Sequence, residues 1–209
     1  MYFDIDQLDG RASYKLIAST VVPRPIAWVV TLDDAGRTNA APFSFFNAMS
    51  GAPPVICVGI GNRRRRPKDS LANIRSRGQF VVNLVSEETL PAMNVTAIDF
   101  PAEVDELREA QLDAVASVKV APPRIAQSPV ALECRLRQLL EVAGTGHIVV
   151  ADVVAVHVRD DAVIDAAKCY IDTPRLNLLG RMQSPGGYVR TSDTFRLPQI
   201  PLEQWQGRS

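Results

Sequence analysis

Two histidines and three cysteines are all that 209 residues offer to a metal or redox centre, and their placement narrows that further. Cys57, Cys134 and Cys169 are odd in number, widely spaced and free of any C-x-x-C pair. Neither a disulfide framework nor a zinc site is indicated, and buried reduced thiols are expected instead. His147 and His157 lack ligand spacing, so no metal centre is expected. An excess of charge is missing as well: 23 basic residues balance 23 acidic ones, and no global field directs the chain to nucleic acid or a membrane surface. The single charge run, Arg63–Arg66, has no second basic patch or aromatic interleaving to support nucleic-acid binding. No apolar run approaches the roughly 18 residues of a membrane span. The opening MYFDIDQLDGR is acidic where a signal peptide is basic and then apolar, so a cytoplasmic protein is expected. Nucleophile-elbow, P-loop and G-x-G-x-x-G patterns are all missing, which removes support for hydrolase, nucleoside-triphosphatase and dinucleotide-fold readings.

What is present is a globular balance, 46% hydrophobic against 22% charged residues, suited to a single domain over 1–209 with its core at about 14–158. Apolar residues at helical spacing predict a helix over Asp6–Ser19, stopped by Val22-Pro23-Arg24-Pro25. Ile26–Leu32, the turn Asp33–Arg37 and Thr38–Phe46 predict a hairpin. Val55–Ile60 reads as a buried strand, Leu71–Arg77 as a helix capped by Asp69 or Ser70 and ending at Gly78, and Gln79–Val85 as the next strand. Helices are expected over Ser86–Ala97 and over an acidic, exposed Glu103–Gln111, with Val118–Ile125 as an irregular crossing. Val130–Val142 alternates with period two, interrupted at Gln138, and Gly144-Thr145-Gly146 turns it into His147–Val158. The region after Tyr170 is expected to wrap the domain or a partner subunit. Six or seven strands with few peripheral helices predict a mainly β, α+β barrel of about six antiparallel strands.

Two stretches carry candidate chemistry. In Arg63–Ser70 the basic run leads through Lys68, Asp69 and Ser70 into a helix start, where unpaired amides and the positive end of the helix dipole favour a phosphate. A solvated basic loop is the plain alternative, and another phosphorylated ligand would suit the same site. From Asn39 to Ser50, small residues, Pro42 and the three phenylalanines Phe43, Phe45 and Phe46 are unusual for a plain strand. Proline confines it to an edge or bulge, and the small residues let a flat ring approach the backbone. Core packing of those rings is the competing reading. His147 follows the glycine turn at a strand mouth, while mid-strand His157 reads as a packed residue.

Taken in order, V-P-R-P-I-A-W-V at 22–29, N-A-A-P-F-S-F-F-N at 39–47, K-D-S-L-A-N-I at 68–74, F-V-V-N-L-V at 80–85, Glu133-Cys134 and the G-x-G-H-I-V-V-A-D-V-V stretch at 144–154 resemble the flavin reductase-like family, which includes flavoredoxins. The resemblance implies an FMN-binding split β-barrel, non-covalent FMN, NAD(P)H as co-substrate, and a homodimer that passes electrons to free flavin or a redox partner. It places the flavin ring at Ala41, Pro42, Phe43, Ser44 and Phe45, with Asn39 among the cofactor-binding residues. It places the phosphate at Lys68, Asp69 and Ser70 with help from Arg24, puts Asn83 near the cofactor, and sets His147 beside the nicotinamide or flavin.

Overall fold

In the computed structural model, residues 1–62, 67–142, 146–183 and 185–206 are described. The Arg63–Arg66 run, Gly144 and Thr145 lie outside them. Strand β1 (Ala27–Leu32) sets the logic of the sheet, because successive residues turn to opposite faces. Ala27 and Val29 enter an inner core with Phe80, Val82, Cys134 and Val149, whereas Trp28 and Val30 enter an outer one with Val81, Met93, Leu107 and Ile125. Both faces are therefore covered, which is why this stretch is almost uninterruptedly apolar.

The other main strands are β2 (Thr38–Phe43), β3 (Phe46–Gly51), β4 (Pro54–Gly61), β5 (Gln79–Leu84), β6 (Val130–Val142) and β7 (Gly146–Val158). They form one antiparallel sheet in the order β2-β1-β5-β6-β7-β4-β3. The expected continuous strand Thr38–Phe46 is corrected: Ser44 and Phe45 break it, and its two parts occupy opposite edges of the sheet. Since those parts are joined by only two residues, the sheet must roll up until its edges meet. At this seam the Gly59 amide donates to the Phe45 carbonyl at 2.6 Å and so extends the β3–β4 ladder into the two-residue link. A Cβ on Gly59 would lie 3.0 Å from the Phe45 Cβ, so the close approach needs glycine there.

Helix α1 (Gly10–Thr20) starts at Asp9, whose Oδ1 accepts from the Ala12 amide at 2.7 Å, so Gly10 opens the helix rather than weakening its middle. Helix α2 (Asp69–Arg77) seals the inner core with Leu71 and Ile74 and ends on left-handed Gly78. Neither Asp69 nor Ser70 caps it. The cap position is Lys68, with no side-chain bond to the helix start among the described residues. The two longer helices expected next shrink to α3 (Leu90–Val95) and α4 (Glu106–Glu109). The second of these is not exposed, since Glu106 and Leu107 are buried. The crossing before β6 is irregular as expected, with a two-residue pairing of Arg124–Ile125 with Ala114–Val115 as its regular structure.

The interruption read at Gln138 is a β-bulge: Val150 faces Gln138 and Ala151 faces Leu136, leaving Arg137 as the extra residue. Where β7 begins, Gly146 pairs with Gly61, and a Cβ on Gly146 would sit 2.5 Å from the Ile60 carbonyl oxygen. Gly146→Ala should therefore cost about 1–3 kcal/mol of unfolding free energy in a urea titration. Gly10→Ala, with open space at its Cβ, should change stability by no more than about 0.5 kcal/mol. Of the cysteines, Cys134 is in the core and Cys57 half-buried, but Cys169 is exposed, contrary to expectation. Among the described residues no helix is long and apolar enough to cross a membrane.

Candidate functional site

A cleft of about 720 Å³ opens between β2 with the start of α2 on one side and the segment from Thr96 to Ala102 on the other. Its floor is a polar relay. The buried Glu106 carboxylate accepts from Asn39 Nδ2 at 2.7 Å through Oε1 and from the Ala40 amide at 3.1 Å through Oε2. Because a carboxylate only accepts, it fixes which way the Asn39 amide faces. Asn39 Oδ1 is then left to receive the Ser70 hydroxyl at 2.8 Å, with the Thr31 hydroxyl, itself bonded by Asn73, 3.5 Å away. Ser70 is nearly fully buried, so this relay pins the first turn of α2 to β2.

Burial pushes the Glu106 carboxyl above its ordinary range, a shift that the Ala40 and Asn39 donors oppose and nearby Asp69 reinforces. At the rim Lys68 Nζ lies 5.2 Å over the centre of the Phe43 ring. No described side chain closes the helix start, and Lys68, Asp69 and Ser70 at that start all line the cleft. Ala41 and Pro42 form the adjoining wall, low enough for a flat group to lie against the strand.

Six of the expected residues thus meet in one place: Asn39, Ala41, Pro42, Lys68, Asp69 and Ser70. Phe43 packs in the inner core beneath Lys68. Ser44, Phe45 and Arg24 line a different recess, about 400 Å³ and mostly apolar, on the far side of the seam. Phe45 stacks there on Tyr14, with ring centres 6.0 Å apart. Arg24 is buried and spends its guanidinium on backbone: Nη1 donates to Ala18 O (2.6 Å) and Val21 O (2.9 Å), and Nη2 to Met182 O (2.8 Å). It fastens the end of α1 to the chain that follows Leu179–Arg181, a short strand paired with Arg24–Pro25.

Asn83 is brought to neither recess. Fully buried, it donates to Trp28 O at 3.1 Å and accepts from the Ile125 amide at 3.0 Å, clamping the crossing segment to the sheet. His147 also lies outside both linings. Its Nε2 accepts from Arg75 Nη2 at 2.8 Å, while buried Nδ1 has no partner among the described residues. His157 is partnered by Glu133 at 2.6 Å.

Sequence reasoning missed Glu106 and the Thr96–Ala102 wall. Glu106 sits in an acidic stretch behind the cap Asp105, and only its distance to β2 distinguishes it from its neighbours. The wall residues carry no local signal of their position.

Comparison with known proteins agrees with this fold. The model of the flavin reductase like domain matches residues 19–174. An uncharacterized protein of Deinococcus radiodurans is 43% identical over 211 residues, spanning 98% of this chain and 92% of its own length. Among solved structures, nitrilotriacetate monooxygenase component B from Bacillus cereus superposes with a TM-score of 0.89 at 26% identity, covering 94% of this chain and 98% of that one. The 2-nitrobenzoate 2-nitroreductase NbaA of Pseudomonas fluorescens gives 0.87 at 32% identity, with 97% of both chains covered. A Shewanella frigidimarina protein with a split barrel domain shares the fold, with a TM-score of 0.82 at 20% identity over 96% of this chain and all of that one. A rolled antiparallel sheet split between β2 and β3, matched over most of its length by that domain model, is what the ordered motifs implied: the chain belongs to the flavin reductase-like family.

Proposed function

We propose that the protein is an FMN-binding oxidoreductase that acts as an NAD(P)H-dependent flavin reductase, working as a homodimer. The observation that carries this reading is the convergence of Lys68, the uncapped start of α2 and the Ala41-Pro42 wall on one cleft of about 720 Å³. That volume is within the range of roughly 300–1,000 Å³ used for small-molecule sites. The fit is chemical as well as spatial: one end supplies cationic and amide donors for a phosphate, and the wall offers small side chains against which a planar ring can rest.

When bound, FMN would accept hydride from NAD(P)H and release electrons to free flavin or to a redox partner. The chain's own residues would hold and orient it. Lys68 and the first amides of α2 would take the phosphate, Asn39 and Ser70 would keep that end fixed, and Ala41 and Pro42 would flank the ring. The Bacillus cereus neighbour is a monooxygenase component, which fits a role in delivering electrons to a partner.

Lys68→Ala should weaken FMN binding by about 1.5–3 kcal/mol, the worth of a charge-assisted bond to phosphate. Titration followed by visible absorbance measures it. Unchanged affinity would move the phosphate elsewhere, and a protein whose spectrum ignores FMN would remove the reading altogether. The position of His147, held by Arg75 outside both recesses, favours one second reading: a flavoredoxin-like carrier without nicotinamide activity of its own. Stopped-flow mixing with NADH and NADPH separates the two, since a carrier stays oxidised.

A further inference from the structure

The two edges of the sheet are finished in opposite ways. On β2 the outward amide of Ala40 is taken by Glu106, and two residues on, Pro42 has no amide to leave unpaired. On β3 the sequence Phe46–Gly51 carries no charge and no proline. Among the described residues it pairs only with β4, is exposed along almost its whole length, and has one bulge near Met49 as protection. Beside it lies the apolar recess floored by Phe45, Cys57 and Ile148. An uncharged, uncovered edge next to an apolar hollow is a template for another chain.

The same molecule holds a matching unpartnered segment. Thr191 is bonded to the Leu178 carbonyl through its amide and its hydroxyl. Beyond it, every residue from Ser192 to Trp205 is exposed. Phe195 is 90% exposed, Leu197 85%, and Trp205 61%. Large apolar side chains spaced along such a segment gain nothing from water, and no described residue buries them. Residues 192–201 carry no regular structure before the short helix Leu202–Gln206, and extended they reach on the order of 33 Å, enough to cross onto a second molecule.

We propose that the C-terminal segment Phe195–Trp205 of one copy lies along β3 and fills the Phe45 recess of a second copy, the exchange being reciprocal. Both surfaces belong to the same chain, so two copies related by a two-fold axis give and receive one segment each. The assembly then closes without leaving a free edge. Met49 lies at the middle of the receiving edge, and Trp205 is the largest side chain delivered to it. The inference shares with the preceding reading only the second copy of the chain, not the flavin.

Sedimentation of the full chain, of a form ending at Thr191 and of Met49→Lys tests it, with FMN absorbance recorded on the same samples. Both variants are expected to raise the dimer dissociation constant at least tenfold while keeping the far-UV circular dichroism of the full chain. The difference spectrum between the full chain and Trp205→Phe isolates Trp205, because Trp28 is fully buried and constant. Its emission should be blue-shifted in the dimer and shift red on dilution or in Met49→Lys. Equal dissociation constants for all three forms would overturn the tail exchange while leaving the homodimer in place. A monomeric full chain would overturn both. Emission that is blue-shifted yet independent of concentration would place the segment on its own subunit and also overturn the proposal. Loss of FMN absorbance with an intact dimer would count against the flavin reading alone.

Discussion

Replacing Glu133 with alanine is expected to lower the unfolding free energy by about 2–5 kcal/mol, because the Val118 and Lys119 amides lose their acceptor at about 1–3 kcal/mol each. The residue sits on β6 with no solvent exposure. Its Oε1 accepts from the Val118 amide at 2.8 Å and from His157 Nε2 at 2.6 Å, and its Oε2 accepts from the Lys119 amide. Those two amides belong to the crossing segment, which sends Val120 and Ile125 into the outer core and whose Ile125 amide is held by Asn83. One carboxylate therefore anchors a stretch that has almost no secondary structure of its own. Burial alone pushes its pKa up, but the Val118 amide, His157 and the Lys119 amide outweigh that and hold the carboxyl below its ordinary value of 4.5. A depressed folded pKa means that the contribution is complete above the unfolded value and lost as pH falls through the folded one. Urea titrations from pH 7 down through 4 should show the native protein losing stability in acid more steeply than Glu133→Ala. Equal slopes would mean that Glu133 is not the group being protonated.

The strands were legible where burial and period two coincide. Ile26–Leu32, Gln79–Val85, Val130–Val142 and His147–Val158 all lie within a residue or two of their observed limits, and the break at Gln138 marked a real bulge. The seam was not legible. Whether Thr38–Phe46 is one strand or two depends on which edges its parts pair with, and among the described residues β3 pairs with β4 alone. Lys68, Asp69 and Ser70 could be placed together from the sequence because a residue run leading into a helix start is held at that helix's first turn. Arg24 and Asn83, which the resemblance puts near the cofactor, do not line the cleft. A polar side chain surrounded by apolar sequence looks like a ligand contact, yet here both serve backbone groups that would otherwise be buried without partners. Glu106 was read as surface for the converse reason, an acidic neighbourhood around one carboxylate whose partners are more than sixty residues away.

Glu106→Ala is the second change expected to have a large effect, and it acts on both fold and ligand. The substitution leaves Asn39 Nδ2 and the buried Ala40 amide without acceptors, at about 1–3 kcal/mol for each donor. It also frees the Asn39 amide to turn, so that Oδ1 no longer waits for the Ser70 hydroxyl and the first turn of α2 loses its tie to β2. FMN affinity should fall by roughly tenfold through this loss of positioning, about 1.4 kcal/mol, although Glu106 itself would bring no positive charge to a phosphate. Glu106→Gln should lie between, because its single remaining oxygen can satisfy one of the two donors but its amide nitrogen faces the other. The pH dependence runs opposite to that of Glu133. Burial raises the Glu106 pKa, so what the group contributes to stability is complete below the ordinary carboxylate value and is lost as pH rises through the folded one. The penalty for Glu106→Ala should accordingly shrink as pH rises from the ordinary carboxylate value toward neutrality, whereas the penalty for Glu133→Ala should not. Urea unfolding of both variants across that interval, with FMN titrations at each pH, separates a carboxylate that positions the cleft from one that holds the barrel's outer coat.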